Sequence, residues 1–434
     1  MKKACFVVSV IFVMLLLFGA CSKKEAASSS PREIDYASMN SGSERTAGWL
    51  KELAEIYEKE KGIKVNIDFA GRDVLTKMRS RFIMGNPPDI IEQDLSELTA
   101  GLLLQDIMVL PLDDFFYKTK GPDGQERFMD LFQEELIRAY AYKNVLYFVP
   151  YNWTTSGFHY DIGLFERLGI HQPPKTMEEF FAVCDVFLKN GIPPLTSDGS
   201  ISFYNAYYFY WFSARIMGQG AFNAAAGDKT GRLWDDPGFL RVAQYVYELG
   251  NGGKNYFQKG YEGSVFPAAQ GDWAQGHSGM ILCGSWIPLE TRNQVHSNFR
   301  FGFFPFPEIK GGKGSITDAE FQLFGVGIPK DAKNVDLAKD FINFMFRRDN
   351  MERYAVNLIP IRKDVPAVLL HEIKNYLNTS KSYHISYDRV MGDYPEWFAN
   401  VFYPLDNALF FGEITPRDFI SRVKADSIEY WRTR

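Results

Sequence analysis

The sequence predicts an α/β protein built as two lobes, each a sheet flanked by helices, and three observations lead there. Residues 33–94 alternate short extended runs with amphipathic helices, the pattern of a parallel sheet with right-handed crossovers. Residues 149–180 carry the chain through an extended, proline-punctuated passage out of one folded unit and into the next. The chain has 434 residues and is 46% hydrophobic, ample for two cores and long for one.

Lys2 and Lys3 precede an apolar run over 4–18, then small residues and Cys21. This is the pattern of a signal peptide over 1–20, too short and too early for a spanning helix. Phe18-Gly19-Ala20-Cys21 resembles a lipobox, with Phe18 where Leu is usual, so lipidation of Cys21 is expected, with plain cleavage near Ala20 the alternative. Residues 21–31, small, charged and unpatterned, read as a flexible tether. The formal net charge of −5 becomes −7 once Lys2 and Lys3 leave, which argues against a nucleic-acid partner. Cys184 and Cys283 read as buried free thiols, and no Cys or His spacing points to a metal.

Residues 33–39 read as a strand ending in the polar loop Asn40-Ser41-Gly42-Ser43. Residues 47–61 form a helix with Leu50, Leu53, Ala54 and Tyr57 on one face, stopped by Gly62. A strand over 64–69, a helix over 73–82 and a strand over 89–92 follow. Ligands in such sheets sit beyond the carboxyl ends of the strands, which picks out Asn40 and Ser41 after the first strand and Gln93 and Asp94 after the third. The same residues also have a capping reading: Ser41 and Ser43 for the first helix, Asp94 for one over 96–103.

The passage over 149–180 holds a strand to Tyr160, a short helix stopped by Gly169, and Pro173-Pro174 before Thr176. Thr176 and Glu179 make a capping box for a helix over 176–190. The order Pro150-Tyr151, Tyr160-Asp161, Leu164-Phe165, Leu168-Gly169, Pro174-Lys175-Thr176 and Glu178-Glu179-Phe180 resembles the crossover of extracellular sugar-binding proteins that feed ABC importers, the maltose-binding-protein-like family. Pro87-Pro88-Asp89-Ile90, Gly101-Leu102-Leu103 and Leu110-Pro111-Leu112-Asp113 match its first lobe in order. The resemblance implies a periplasmic-binding-protein-like fold with three hinge crossings and a ligand in the cleft between lobes. Tyr151, Asn152 and Trp153 then sit at the hinge and touch the ligand from the floor.

In the second lobe, eight of the ten residues over 203–212 (FYNAYYFYWF) are aromatic. Helical spacing sets Tyr204, Tyr208 and Trp211 on one face. Phe209, Trp211 and Phe212 read as core, while Tyr204 and Tyr208, with polar tips, read as cleft lining. Residues 279–286 read as a buried strand whose end turns Trp286 outward. The resemblance implies that this Trp stacks on the apolar C–H face of a pyranose; a core plug is the alternative.

Residues 301–307 form a second extended passage, and Glu320 and Gln322 on the segment after it join the expected ligand-binding set. A helix follows over 334–346, residues 357–364 resemble the third crossing, and Pro395-Glu396-Trp397-Phe398 resembles the family position of a further stacking Trp, here Trp397. The expected lobes are 32–149 with 309–360, and 150–308 with 361–434.

The resemblance implies a lipid-tethered, extracytoplasmic, monomeric binding protein without cofactor, its partners a carbohydrate and an ABC permease. The ATPase is expected on separate subunits, because no GxxxxGK(S/T) loop is present and GGKGS at 311–315 lacks the spacing. Two other classes compete. A secreted carbohydrate-active enzyme also lines its cleft with aromatics and carboxylates, but HExxH and GxSxG are absent and the six His are scattered. A binding protein for a polyamine or metal is disfavoured by the aromatics and by the lack of a ligand cluster.

Overall fold

The computed structural model describes residues 32–104, 106–250 and 253–434. The expected signal peptide, the tether and Cys21 lie outside the described residues.

In the first lobe β1 (Glu33–Ser38) pairs in parallel with β2 (Lys64–Phe69) and β3 (Ile90–Asp94), as the strand–helix alternation requires. Helix α1 (Arg45–Lys61) buries Leu50, Leu53 and Tyr57 and ends at Gly62, whose left-handed φ of 66° lets its N–H bond back to Glu58. Helices α2 (Val74–Ile83) and α3 (Leu95–Leu102) follow. Strand β4 (Phe148–Thr154) is buried throughout and leads out of the lobe.

The second lobe holds β5 (Ser156–Asp161), β6 (Leu195–Thr196), β7 (Met280–Gly284) and β8 (Phe301–Phe304), in the order β6-β7-β5-β8. Helix α4 (Met177–Lys189) carries the capping box: Thr176 accepts from Glu179 N at 3.3 Å and Glu179 accepts from Thr176 N at 3.2 Å. Helix α5 (Ser202–Met217) runs through the lobe's core, and α6 (Ala268–Ala274) and α7 (Ile287–Thr291) flank β7.

The chain returns as β9 (Asp318–Gly327), which lies antiparallel to both β3 and β4 and is joined in parallel by β10 (Ser382–Ile385). The first sheet is therefore mixed. Its parallel part is β1 to β3, and the antiparallel part arises because the return enters from the opposite lobe. Helix α8 (Val335–Met345) packs on this lobe and α9 (Pro416–Arg432) on the second.

Two separate hydrophobic cores define the lobes and move the expected boundaries. Trp153 belongs to the first core and Phe158 to the second; Ile309 to the second and Ala319 to the first; Ile385 to the first and Tyr387 to the second. The crossings therefore run near 155–156, 310–318 and 386. Residues 301–309 stay in the second lobe because β8 pairs with β5. Residues 357–364 are not a crossing: Trp153 N donates to Ile359 O at 3.2 Å and Ile361 N to Tyr151 O at 3.1 Å. The segment extends alongside β4, and 361–385 remain with the first core.

Candidate ligand-binding site

The carboxyl end of β3 meets the crossing strands in one row. Asp94 is in register with Phe324 of β9, and Phe324 with Asn152 of β4. Asp94 is both a cap and an open acceptor. Its Oδ1 receives Ser96 N at 2.8 Å and Glu97 N at 3.1 Å, while Oδ2, beside the Gln322 side chain, has no hydrogen bond of ordinary geometry. Burial, and then the charge of Glu97, raises this carboxyl to about 7. Asn152 Oδ1 and Trp153 Nε1 are likewise buried without partners. Buried polar atoms are almost always paired, so the two orphans in this row, Asp94 Oδ2 and Asn152 Oδ1, point to partners supplied from outside the chain, whereas Trp153, next along β4, faces the other side of the sheet and lies in the first core.

Other expected residues on this side are committed to the fold. Tyr151 OH and Asn40 Nδ2 both donate to Glu92 Oε1, the latter at 2.6 Å, and Tyr36 OH donates to Oε2 at 3.1 Å. Burial raises the pKa of Glu92, and these donors pull it back. Gln93 donates to Arg72 O at 2.6 Å and accepts from Asp94 N at 2.9 Å, which fixes the strand end. Ser41 is exposed, its hydroxyl 3.2 Å from that of Ser43.

On the facing lobe the carboxyl end of β7 carries Trp286, half-buried at the head of α7. Its ring lies against Gly284, where an added Cβ would stand 2.1 Å from Cζ3, so only glycine admits this ring position. Ser285 N donates to Thr155 O at 2.8 Å, which holds the strand end beside the first crossing. Tyr204, also half-buried, packs with Trp286 on Trp273, Ile281, Cys283 and Ile287. Cys184 and Cys283 are buried and unpaired.

Two expected aromatics are not available to a ligand. Trp397 is fully buried, 6.1 Å from Trp234 in a stacked arrangement, and its Nε1 donates to Ser427 at 3.0 Å. Tyr208 is buried with its ring stacked on Phe410 at 5.1 Å, and its hydroxyl has no partner. Helical spacing placed Tyr208 beside Tyr204, but one turn further on, α5 has already entered the core. Glu320 is 1% exposed and its carboxylate is taken up by Thr155, Ser156 and Ser386.

The carboxyl-end rule also applies to β6, a strand too short to show periodicity. Asp198 follows it, buried, with Oδ1 accepting from Ser264 Oγ at 2.7 Å and Ala269 N at 2.9 Å, and Oδ2 unpartnered. Gln270 Nε2, near Glu290, lacks a hydrogen bond of ordinary geometry. Phe324, between Asp94 and Asn152 in register, is half-buried. Among the described residues no group of His, Cys, Asp and Glu is placed to hold a metal ion.

The model of the bacterial extracellular solute-binding protein family matches residues 40–352. The chain belongs to this family. Among its relatives, the melibiose/raffinose/stachyose-binding protein MelE of Bacillus subtilis (strain 168) is 24% identical over 375 residues, 81% of this chain and 79% of its own. A chitin oligosaccharide binding protein superposes with a TM-score of 0.74 at 20% identity, covering 92% of this chain and 99% of that one. RafE in complex with raffinose gives 0.69 at 19% identity over 92% and 99%. The fold is thus the two-lobed fold of solute-binding proteins.

Proposed function

We propose that this solute-binding protein captures a carbohydrate between its lobes and presents it to the permease of an ABC importer, working as a monomer held at the membrane by lipid on Cys21. The observation that supports this reading is that orphaned polar atoms and half-buried rings lie at or beside the carboxyl ends of strands in both lobes. Asp94 Oδ2, Asn152 Oδ1 and Asp198 Oδ2 supply acceptors, and Trp286, Tyr204 and Phe324 supply flat apolar faces. A pyranose needs that combination, hydroxyl partners around its edge and an aromatic against its C–H face. The sugars in the relatives' names agree with it. Asp94 and Asp198 are each anchored through one oxygen by a backbone N–H, which fixes the direction of the free acceptor oxygen. The protein is a receptor, and closure on the ligand is its signal to the permease.

The test is thermal unfolding of the mature, unlipidated protein against mono- and oligosaccharides, amino acids and polyamines. A ligand bound only by the folded state raises the melting temperature by mass action. A rise with a saccharide that is recovered intact is expected. Hydrolysis of the saccharide overturns the receptor reading, and a response confined to a polyamine or amino acid overturns the carbohydrate reading.

A further inference from the structure

Glu320 is the second residue of the first core's return segment, and its buried carboxylate reaches both of the other crossings. Oε2 accepts from Ser156 N at 2.5 Å, Ser156 Oγ at 2.9 Å and Thr155 Oγ1 at 3.5 Å; Oε1 accepts from Ser386 Oγ. Thr155, Ser156 and Ser386 are the residues at which the chain passes from one core to the other. The tie continues into the second lobe. Trp211 Nε1 donates to Ser156 Oγ at 2.8 Å, and the Trp211 ring stacks at 3° on Phe306, which leads into the second crossing. Arg215, fully buried over Trp211, donates to Phe306 O at 3.1 and 3.0 Å and to Asp318 O at 3.4 Å.

We infer that Glu320 is a positioning residue that joins all three crossings into one pivot and sets how widely the unliganded lobes move apart. The cores on either side are close-packed and resist deformation. The layer between them is polar, and its hydroxyls can rotate to follow a moving acceptor, so rotation concentrates there. Four donors that share one carboxylate keep the three strands moving together. Without it the donors are left unmet and each crossing bends independently. The inference rests on the two-lobed receptor reading but requires no contact between Glu320 and a ligand.

The experiment measures the separation of the lobes in the absence of any ligand. Spin labels at Lys59→Cys and Arg422→Cys, both exposed and on different lobes, in the mature protein carrying Cys21→Ser, report it by pulsed electron paramagnetic resonance, since Cys184 and Cys283 are buried. Glu320→Ala should roughly double the width of the distance distribution, as expected when one coupled hinge becomes three independent ones. Glu320→Gln, which keeps an acceptor for Ser156 N, should restore the parent width. Ser386→Ala, which deletes a single donor, should broaden it by less and serves if Glu320→Ala fails to fold. Leu409→Ala, in the second core, should lower the melting temperature without altering the distribution. Unchanged widths in Glu320→Ala or Ser386→Ala, or an equal broadening in Leu409→Ala, would overturn the inference. Because no ligand is present, this outcome is independent of whether a sugar binds.

Discussion

Arg45 and Arg292 reach from opposite lobes to the same oxygen, Asn357 Oδ1, at 3.0 and 3.3 Å. Neither has an acidic partner within ion-pair distance among the described residues, and burial followed by the charge of Arg292 lowers the pKa of Arg45. Bringing the lobes together thus sets two guanidinium groups against each other. Ligand binding should tighten by about two- to threefold in Arg292→Gln, which keeps a donor and drops the charge, the size of an exposed charge interaction. Calorimetry at low and high salt checks it: the parent should gain affinity as salt screens the pair, and the variant should not.

Asp94 is expected to make the ligand affinity pH-dependent. A hydroxyl donating to Oδ2 favours the ionised carboxyl, so affinity is full above a pKa of about 7 and is lost as pH falls through it. Between pH 8 and pH 5.5 the loss should reach roughly thirtyfold, the fall in ionised fraction. In the unliganded protein the sign is opposite. A pKa raised above the unfolded value of 3.8 means that the fold retains the proton, so this group's contribution to stability declines as pH rises toward 7. Asp94→Asn should flatten the binding profile; a profile that keeps its slope in that variant assigns the dependence elsewhere.

The two strand- and helix-end tryptophans should separate cleanly. Trp286→Ala is expected to weaken ligand binding by about tenfold or more while the protein remains folded, as loss of a stacked ring would. Trp397→Ala removes a buried ring and the acceptor's partner at Ser427, and should cost about 3–5 kcal/mol of stability. Urea unfolding and calorimetry on both variants, with reversed effects, would exchange their roles.

Tyr208→Phe should be neutral or stabilising by up to about 1 kcal/mol, because the hydroxyl removed is buried without a partner. An unchanged ligand affinity is expected in the same variant, since its ring lies in the core. A clear loss of affinity would return Tyr208 to the cleft.

The strand ends of the first lobe were legible because alternation and glycine or proline stops are local signals. The carboxyl-end rule singled out Asp94, which the fold leaves with one unmet oxygen. The third crossing was not legible. An extended, proline-punctuated run at 357–364 has the same local sequence whether it leaves a lobe or lies along β4, and only the distant partners Tyr151 and Trp153 decide. Trp286 and Trp397 differ for the same reason: Gly284 positions one ring at the rim, while Trp234 and Ser427 enclose the other. Asp198, proposed from its unpartnered Oδ2, was not legible because β6 has two residues and no periodicity to mark its end.

The first lobe's central strand comes late. Strand β3 ends at Asp94, yet its partner β9 starts at Asp318, and the lobe is closed by β10 at 382–385. A nascent chain therefore holds half a sheet with an open edge until most of the polypeptide has been made, and contacts of such long sequence separation form slowly. Proteins of an extracellular family are exported. An interleaved sheet of this kind keeps the first lobe unfinished until the chain has reached β10.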